Sequence, residues 1–166
     1  VAEEAGVNLA LHPDDPPLSP LRGIGRIFTD VAAFDRAYEL APVACNGVTF
    51  CQATFRAMGE GIEDAARRFG TTGRLKFLHL RDIAGPPERF RETFHDNGPT
   101  DMVRMLRLYK ELGFKGLVRP DHVPAMGAER QGAEQTHTLS AGYGTLGRLY
   151  AVGYLRGILE AIEAQD

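Results

Sequence analysis

The 166 residues are 43% apolar and 25% charged, the composition of a globular chain of about one domain. A formal net charge of -3, with lysine and arginine scattered, gives no electrostatic footprint for nucleic acid or an anionic membrane. The expected partner is a small molecule or another protein, and the expected location, with no bilayer-length apolar run and no signal-like start at Val1-Ala2-Glu3-Glu4, is the cytoplasm.

Short apolar runs suited to buried strands alternate with longer segments of helical period. VNLALH (7–12) predicts a first strand, and DVAAFDRAYELA (30–41) a helix with Asp30 as its N-cap. GVTFC (47–51) predicts a second strand, followed by a helix over GEGIEDAARRFG (59–70) that Gly70 stops. RLKFLHLRDI (74–83) reads as the third strand. TDMVRMLRLYKELGF (100–114) reads as an amphipathic helix capped by Thr100 or Asp101. KGLVRP (115–120) is the fourth strand, and a long loop leads to a helix over GTLGRLYAVGYLRGILEAIEA (144–164). Four β-then-α units in order imply an α/β fold with a parallel sheet and right-handed crossovers. Their near-continuous apolar strands suit parallel strands covered on both faces.

A closed (β/α)8 barrel takes about 250 residues, so these units amount to half of a TIM (β/α)8 barrel. Residues 1–166 then read as a single domain and as a fragment of a longer protein. Length alone also allows a free-standing open sheet.

Polar groups fall at one place in this pattern. His12 ends the first strand, Cys51 ends the second, His79 lies in the third, and Asp121 with His122 follows the fourth. In parallel α/β sheets the C-terminal strand ends share one side, where sites are built. Taken singly, each residue has a bland reading: a hydrogen-bonded structural histidine, a small buried hydrophobe at Cys51, a turn at Asp121 after Pro120. Together they form a set of imidazole, thiolate and carboxylate groups suited to a divalent transition metal. The second cysteine, Cys45, reads as a plain thiol with no role.

Six stretches in order carry a resemblance: LHPDDPP (11–17), GVTFC (47–51), FLHLRDI (77–83), ETFHDNGPTDM (92–102), RPDHVP (119–124) and AGYGTLGRLYAVGYLRG (141–157). The chain resembles the C-terminal half of mannonate dehydratase. That resemblance implies a TIM barrel related to the xylose isomerase-like enzymes. It also implies dependence on Mn²⁺ or a similar divalent ion such as Fe²⁺, and a lyase activity (EC 4.2.1.8) converting D-mannonate to 2-keto-3-deoxy-D-gluconate in glucuronate catabolism. Matched motif by motif, the family's metal ligands fall on His12, Cys51, His79 and Asp121. Its acid/base candidates fall on His122 and Tyr143, and a substrate-contacting arginine on Arg119. His95 and Asp96 resemble a loop at the same pole and are expected to touch substrate hydroxyls. Mn²⁺ follows from the resemblance alone, since thiolate and imidazole ligands favour softer ions such as Fe²⁺ or Zn²⁺.

Other residues carry two readings each. Asp14 and Asp15 either orient His12 from behind or initiate the Pro16-Pro17 turn. Arg81 either binds substrate or pairs near Asp82. Two alternatives to the dehydratase remain at this level: a sugar isomerase or epimerase of the same metal-dependent barrel superfamily, and a catalytically inactive half-barrel. A half-barrel has two unpaired sheet edges and an exposed apolar interior, so a homo-oligomer is expected.

Overall fold

The computed structural model describes residues 1–59, 61–130 and 142–165. Four strands, β1 (Leu9–Leu11), β2 (Asn46–Cys51), β3 (Leu75–Leu80) and β6 (Leu117–Pro120), pair in parallel in that order. The helices between and after them are α1 (Val31–Leu40), α2 (Gln52–Ala57), α3 (Ile62–Thr71), α4 (Met102–Glu111) and α5 (Thr145–Glu163). A separate antiparallel ribbon, β4 (Asp82–Ala84) with β5 (Arg91–Thr93), follows β3. Sequential parallel strands linked through helices are the arrangement of half a (β/α)8 barrel.

The helices form where apolar residues recur at helical spacing. Val31, Phe34 and Tyr38 of α1 are buried, as are Met102, Met105, Leu106 and Tyr109 of α4. Asp30 and Asp101 cap these two helices, accepting from the Ala33 and Arg104 amides at 2.8 and 2.9 Å. Against the sheet they build an aromatic core around Phe34, Phe50, Phe55 and Phe69, in which Phe50 and Phe55 stack at 4.4 Å. Strand alternation sends Val48, Phe50, Leu78 and Leu80 into that core and turns Cys51 and His79, registered side by side, to the opposite face. Leu117 of the edge strand β6 is 76% exposed.

Several elements differ from the sequence-based expectation. The first strand keeps only three residues. The third ends at Leu80, because Asp82–Ala84 leave the sheet to pair with Arg91–Thr93. Gly70 lies inside α3, where a Cβ would meet the Leu112 side chain at 2.7 Å, so it serves close approach of α3 to the end of α4. The reversal itself falls at Gly73, with φ +67°. The short helix α2, directly after Cys51, was not anticipated. Among the described residues no helix is long and apolar enough to cross a membrane.

Candidate active site

The register of the sheet lines up the C-terminal strand ends. Cys51 pairs with His79, and His79 with Arg119, while His12 and Asp121 follow the ends of β1 and β6. The ligating atoms of His12, Cys51 and His79 all lie within 4.8 Å of one another. The two imidazoles sit 5.1 Å apart, centroid to centroid. His12 Nδ1 lies 2.6 Å from the Pro13 carbonyl, to which it donates, so that Nε2 is the ring nitrogen left to face Cys51 or a ligand. His79 Nδ1 is buried and has no hydrogen-bond partner among the described residues. Its nearest carboxylate oxygen is Asp121 Oδ2 at 3.6 Å. Asp121 thus stands beside His79 rather than within the three-way group.

Electrostatics at this pole favour the ionised, metal-binding forms of Cys51 and Asp121, while burial, which would lower the pKa of His12 and His79, is outweighed by those same two groups, which raise it. Burial pushes the Cys51 thiol up, but the facing His12 and His79 and the Arg81 guanidinium outweigh it and bring the thiol down to about 6. Burial would likewise raise the Asp121 carboxyl, yet His79, His122 and Arg119 hold it well below the usual carboxylate range. Arg119 Nη2 donates to Asp121 Oδ1 at 2.9 Å. Two imidazoles, a thiolate-prone sulfur and an ionised carboxylate, with a buried ring nitrogen lacking a partner, fit a divalent transition ion.

The acid/base candidates meet one step along the same edge. His122 Nε2 lies 2.7 Å from the Tyr143 hydroxyl, and their rings pack edge to face at 4.6 Å. Val123 and Tyr143 form a parallel bridge, with the Val123 amide donating to the Gly142 carbonyl at 3.0 Å. The Arg148 guanidinium covers the Tyr143 ring at 4.4 Å. Between His122 and Tyr143, residues 131–141 lie outside the described residues.

Behind both groups lies a buried ion network that sequence reasoning missed. The Arg81 guanidinium is 2% exposed. Its Nη1 donates to Asp15 Oδ2 at 2.5 Å and approaches Cys51 Sγ at 3.9 Å, while Nη2 and Nε donate to the two oxygens of Glu92 at 2.5 and 2.9 Å. Glu92 Oε1 in turn lies 3.2 Å from His122 Nδ1. Burial would raise the Glu92 carboxyl, but His122 and Arg81 together take it below its ordinary value. Glu92 carried no signal of its own, since its role depends on the ribbon pairing that sets Glu92 against Ile83.

The remaining candidates separate. Asp14 ties down its loop by accepting from Arg26 Nε and the Ile27 and Phe28 amides, whereas Asp15 reaches Arg81. His95 is fully buried, and its Nε2 donates to the Leu80 carbonyl at 2.7 Å, which also accepts the Asp121 amide at 2.9 Å. Asp96 is exposed, and its carboxylate raises the pKa of the Tyr150 hydroxyl on α5.

Comparison with known proteins converges on one family. Residues 1–166 match the family model described as D-mannonate dehydratase (UxuA). Mannonate dehydratase 2 of Halalkalibacterium halodurans is 36% identical over 99% of this chain and 46% of its own length. The mannonate dehydratase of Thermotoga petrophila is 34% identical over 98% of this chain and 44% of its own. The solved mannonate dehydratase from Streptococcus suis serotype 2 superposes with a TM-score of 0.83 at 31% identity, covering 96% of this chain and 44% of that one. A D-tagatose 3-epimerase-like protein superposes at 0.66 with 14% identity, a likeness of fold alone. The chain spans less than half the length of the curated relatives it matches. With its family model matched from first residue to last and its strand-end residues drawn to one pole, the chain belongs to the D-mannonate dehydratase family.

Proposed function

We propose that this chain supplies the metal ligands and the acid/base pair of a hydro-lyase that removes water from D-mannonate to give 2-keto-3-deoxy-D-gluconate. The observation that carries this reading is the 2.7 Å contact of His122 Nε2 with the Tyr143 hydroxyl, one residue along the chain from Asp121. A dehydration needs both a base and an acid at neighbouring carbons, and a coupled imidazole and phenol meet that requirement.

The C2 proton of a sugar acid lies next to a carboxylate, so its removal builds an enolate with a second negative charge. A divalent ion, Mn²⁺ or Fe²⁺, held by His12, Cys51, His79 and Asp121 would supply Lewis-acid neutralisation of that charge. Arg119, already donating to Asp121 and with a side chain 41% exposed, adds a cation for the substrate carboxylate. One of His122 and Tyr143 takes the C2 proton and the other delivers a proton to the departing C3 hydroxyl. Each transfer contributes about 10²- to 10⁴-fold. The enol left between C2 and C3 then tautomerises to the 2-keto product. Exposed Asp96 is suited to substrate hydroxyls, and buried His95 supports the site through the Leu80 carbonyl.

The test is turnover of D-mannonate by the full-length protein containing this chain, reconstituted anaerobically with Mn²⁺ or Fe²⁺. Product formation abolished by His122→Asn and by chelation supports the reading. Metal binding without turnover sinks the substrate assignment and moves it to an isomerase or epimerase of the same barrel class.

A further inference from the structure

We propose that Glu92 is a positioning residue for His122, holding the imidazole proton on Nδ1 so that Nε2 is the end that exchanges a proton beside Tyr143. The proposal rests on the acid/base reading of His122 and Tyr143 and adds the group that prepares the imidazole for it.

Arg81 sets the ionisation of Glu92. An arginine is always charged and only donates, and this one is fixed from two sides, by Asp15 through Nη1 and by Glu92 through Nη2 and Nε. A carboxylate receiving two parallel guanidinium bonds is ionised and has only acceptors to offer. The 3.2 Å contact between Glu92 Oε1 and His122 Nδ1 therefore requires the proton on Nδ1. In the neutral ring Nε2 is then bare, and in the 2.7 Å contact the Tyr143 hydroxyl donates to it.

A counter-ion role alone does not account for this geometry. Asp15 already neutralises Arg81 at 2.5 Å, and the Cys51 sulfur lies 3.9 Å from the same nitrogen. What Glu92 adds is its second direction, from Oε1 to the imidazole. The ribbon of β4 and β5 provides it: pairing Ile83 with Glu92 carries the carboxylate from the end of β3 across to His122, two residues past the end of β6. Arg81, two residues beyond His79 in the chain, thereby joins the thiol of Cys51 and the imidazole of His122 in one set of contacts.

The experiment compares Glu92→Met, which keeps the length of the side chain and removes the acceptor, with Glu92→Gln, which keeps an oxygen, in the full-length metal-loaded enzyme. Positioning predicts that Glu92→Met lowers kcat about 10- to 100-fold with KM little changed, and that Glu92→Gln restores most of it. Nitrogen-15 spectra of histidine-labelled metal-free protein read the tautomer directly, with His122 identified by its loss in His122→Asn. The wild type should carry the His122 proton on Nδ1, and Glu92→Met should lose that preference. A wild-type proton on Nε2 overturns the proposal even where a variant fails to fold. So does an unchanged kcat in Glu92→Met, or an equal loss in both variants that follows their melting temperatures. Failure of the wild type to turn over D-mannonate counts against the dehydratase reading instead, and the tautomer still decides the role of Glu92.

Discussion

A Cβ placed on Gly142 would come within 2.8 Å of His122 Cβ and 2.9 Å of its Cγ, and Gly142 itself has φ +87°. The chain thus passes Tyr143 to its partner over a backbone that only glycine allows without strain. Gly142→Ala should lose about 1–2 kcal/mol from the left-handed conformation and, through the clash, displace His122 from the Tyr143 hydroxyl, with a fall in kcat. Gly6→Ala, at φ +66° with nothing within 4 Å, carries the same strain without the contact and should leave kcat unchanged. Melting curves and steady-state rates for the two variants separate the effects. Full activity in Gly142→Ala would remove the case for this close approach.

Cys51 is fully buried between two imidazoles and a guanidinium, which hold its thiol near 6. Replacement by serine keeps the volume and removes the thiolate. Mn²⁺ affinity, followed by titration calorimetry under anaerobic conditions, should fall at least ~10- to 100-fold, the usual cost of losing even an outer partner of a metal ligand. Cys45→Ser, remote from the ligating group, should bind as the wild type does. Equal affinities for the two serine variants would show that the sulfur of Cys51 is not a ligand.

How far the sequence led is clearest at these strand ends. His12, Cys51 and His79 were legible because a parallel sheet puts every C-terminal strand end on one side, and period-two alternation then turns Cys51 and His79 to one face. Tyr143 was legible only through its motif, since nothing local shows that it bridges to Val123 across 20 positions of chain. The Arg81, Glu92 and Asp15 contacts were invisible for a related reason: RDI looks like the continuation of a strand, and the departure of Asp82–Ala84 into a ribbon is a tertiary event. Asp14 and Asp15 are neighbours with equal propensities, and only the fold sends one to Arg26 and the other to Arg81.

The ribbon's anchor is Asp82, whose fully buried carboxylate accepts the Thr100 amide at 2.6 Å, the Thr100 hydroxyl at 2.8 Å and the Ile83 amide at 3.0 Å, facing Arg56 at 3.4 Å. Asp82→Ala strands two buried amides and removes the partner of a cation, and should cost about 3–5 kcal/mol. Thr100→Val removes a hydroxyl that donates to Asp82 and accepts from Arg56 Nε and Nη2 at 3.2 and 3.0 Å, leaves the Thr100 amide bond to Asp82 in place, and should cost about 1–3 kcal/mol. Denaturant unfolding measures both. A cost for Asp82→Ala no larger than that for Thr100→Val would mean the carboxylate is not the organising group.

Tyr38 gives the fold an alkaline limit. Burial in the aromatic core pushes its hydroxyl up to about 12, a rise that the nearby Arg74 cation opposes and the Asp35 carboxylate reinforces. In the unfolded chain the group titrates near its ordinary value of about 10. Its folded pKa is the higher one, so its contribution is fully present below pH 10 and is lost as the pH rises through about 12. Between those values the unfolded state binds fewer protons than the folded one, and stability falls. Two units correspond to about 3 kcal/mol at most. Tyr38→Phe removes the titrating group while keeping the ring beside Phe34 and Phe69. Its unfolding free energy should therefore decline less steeply than that of the wild type between pH 10 and 12. Parallel decline of the two proteins over that window would show that Tyr38 ionises as easily folded as unfolded.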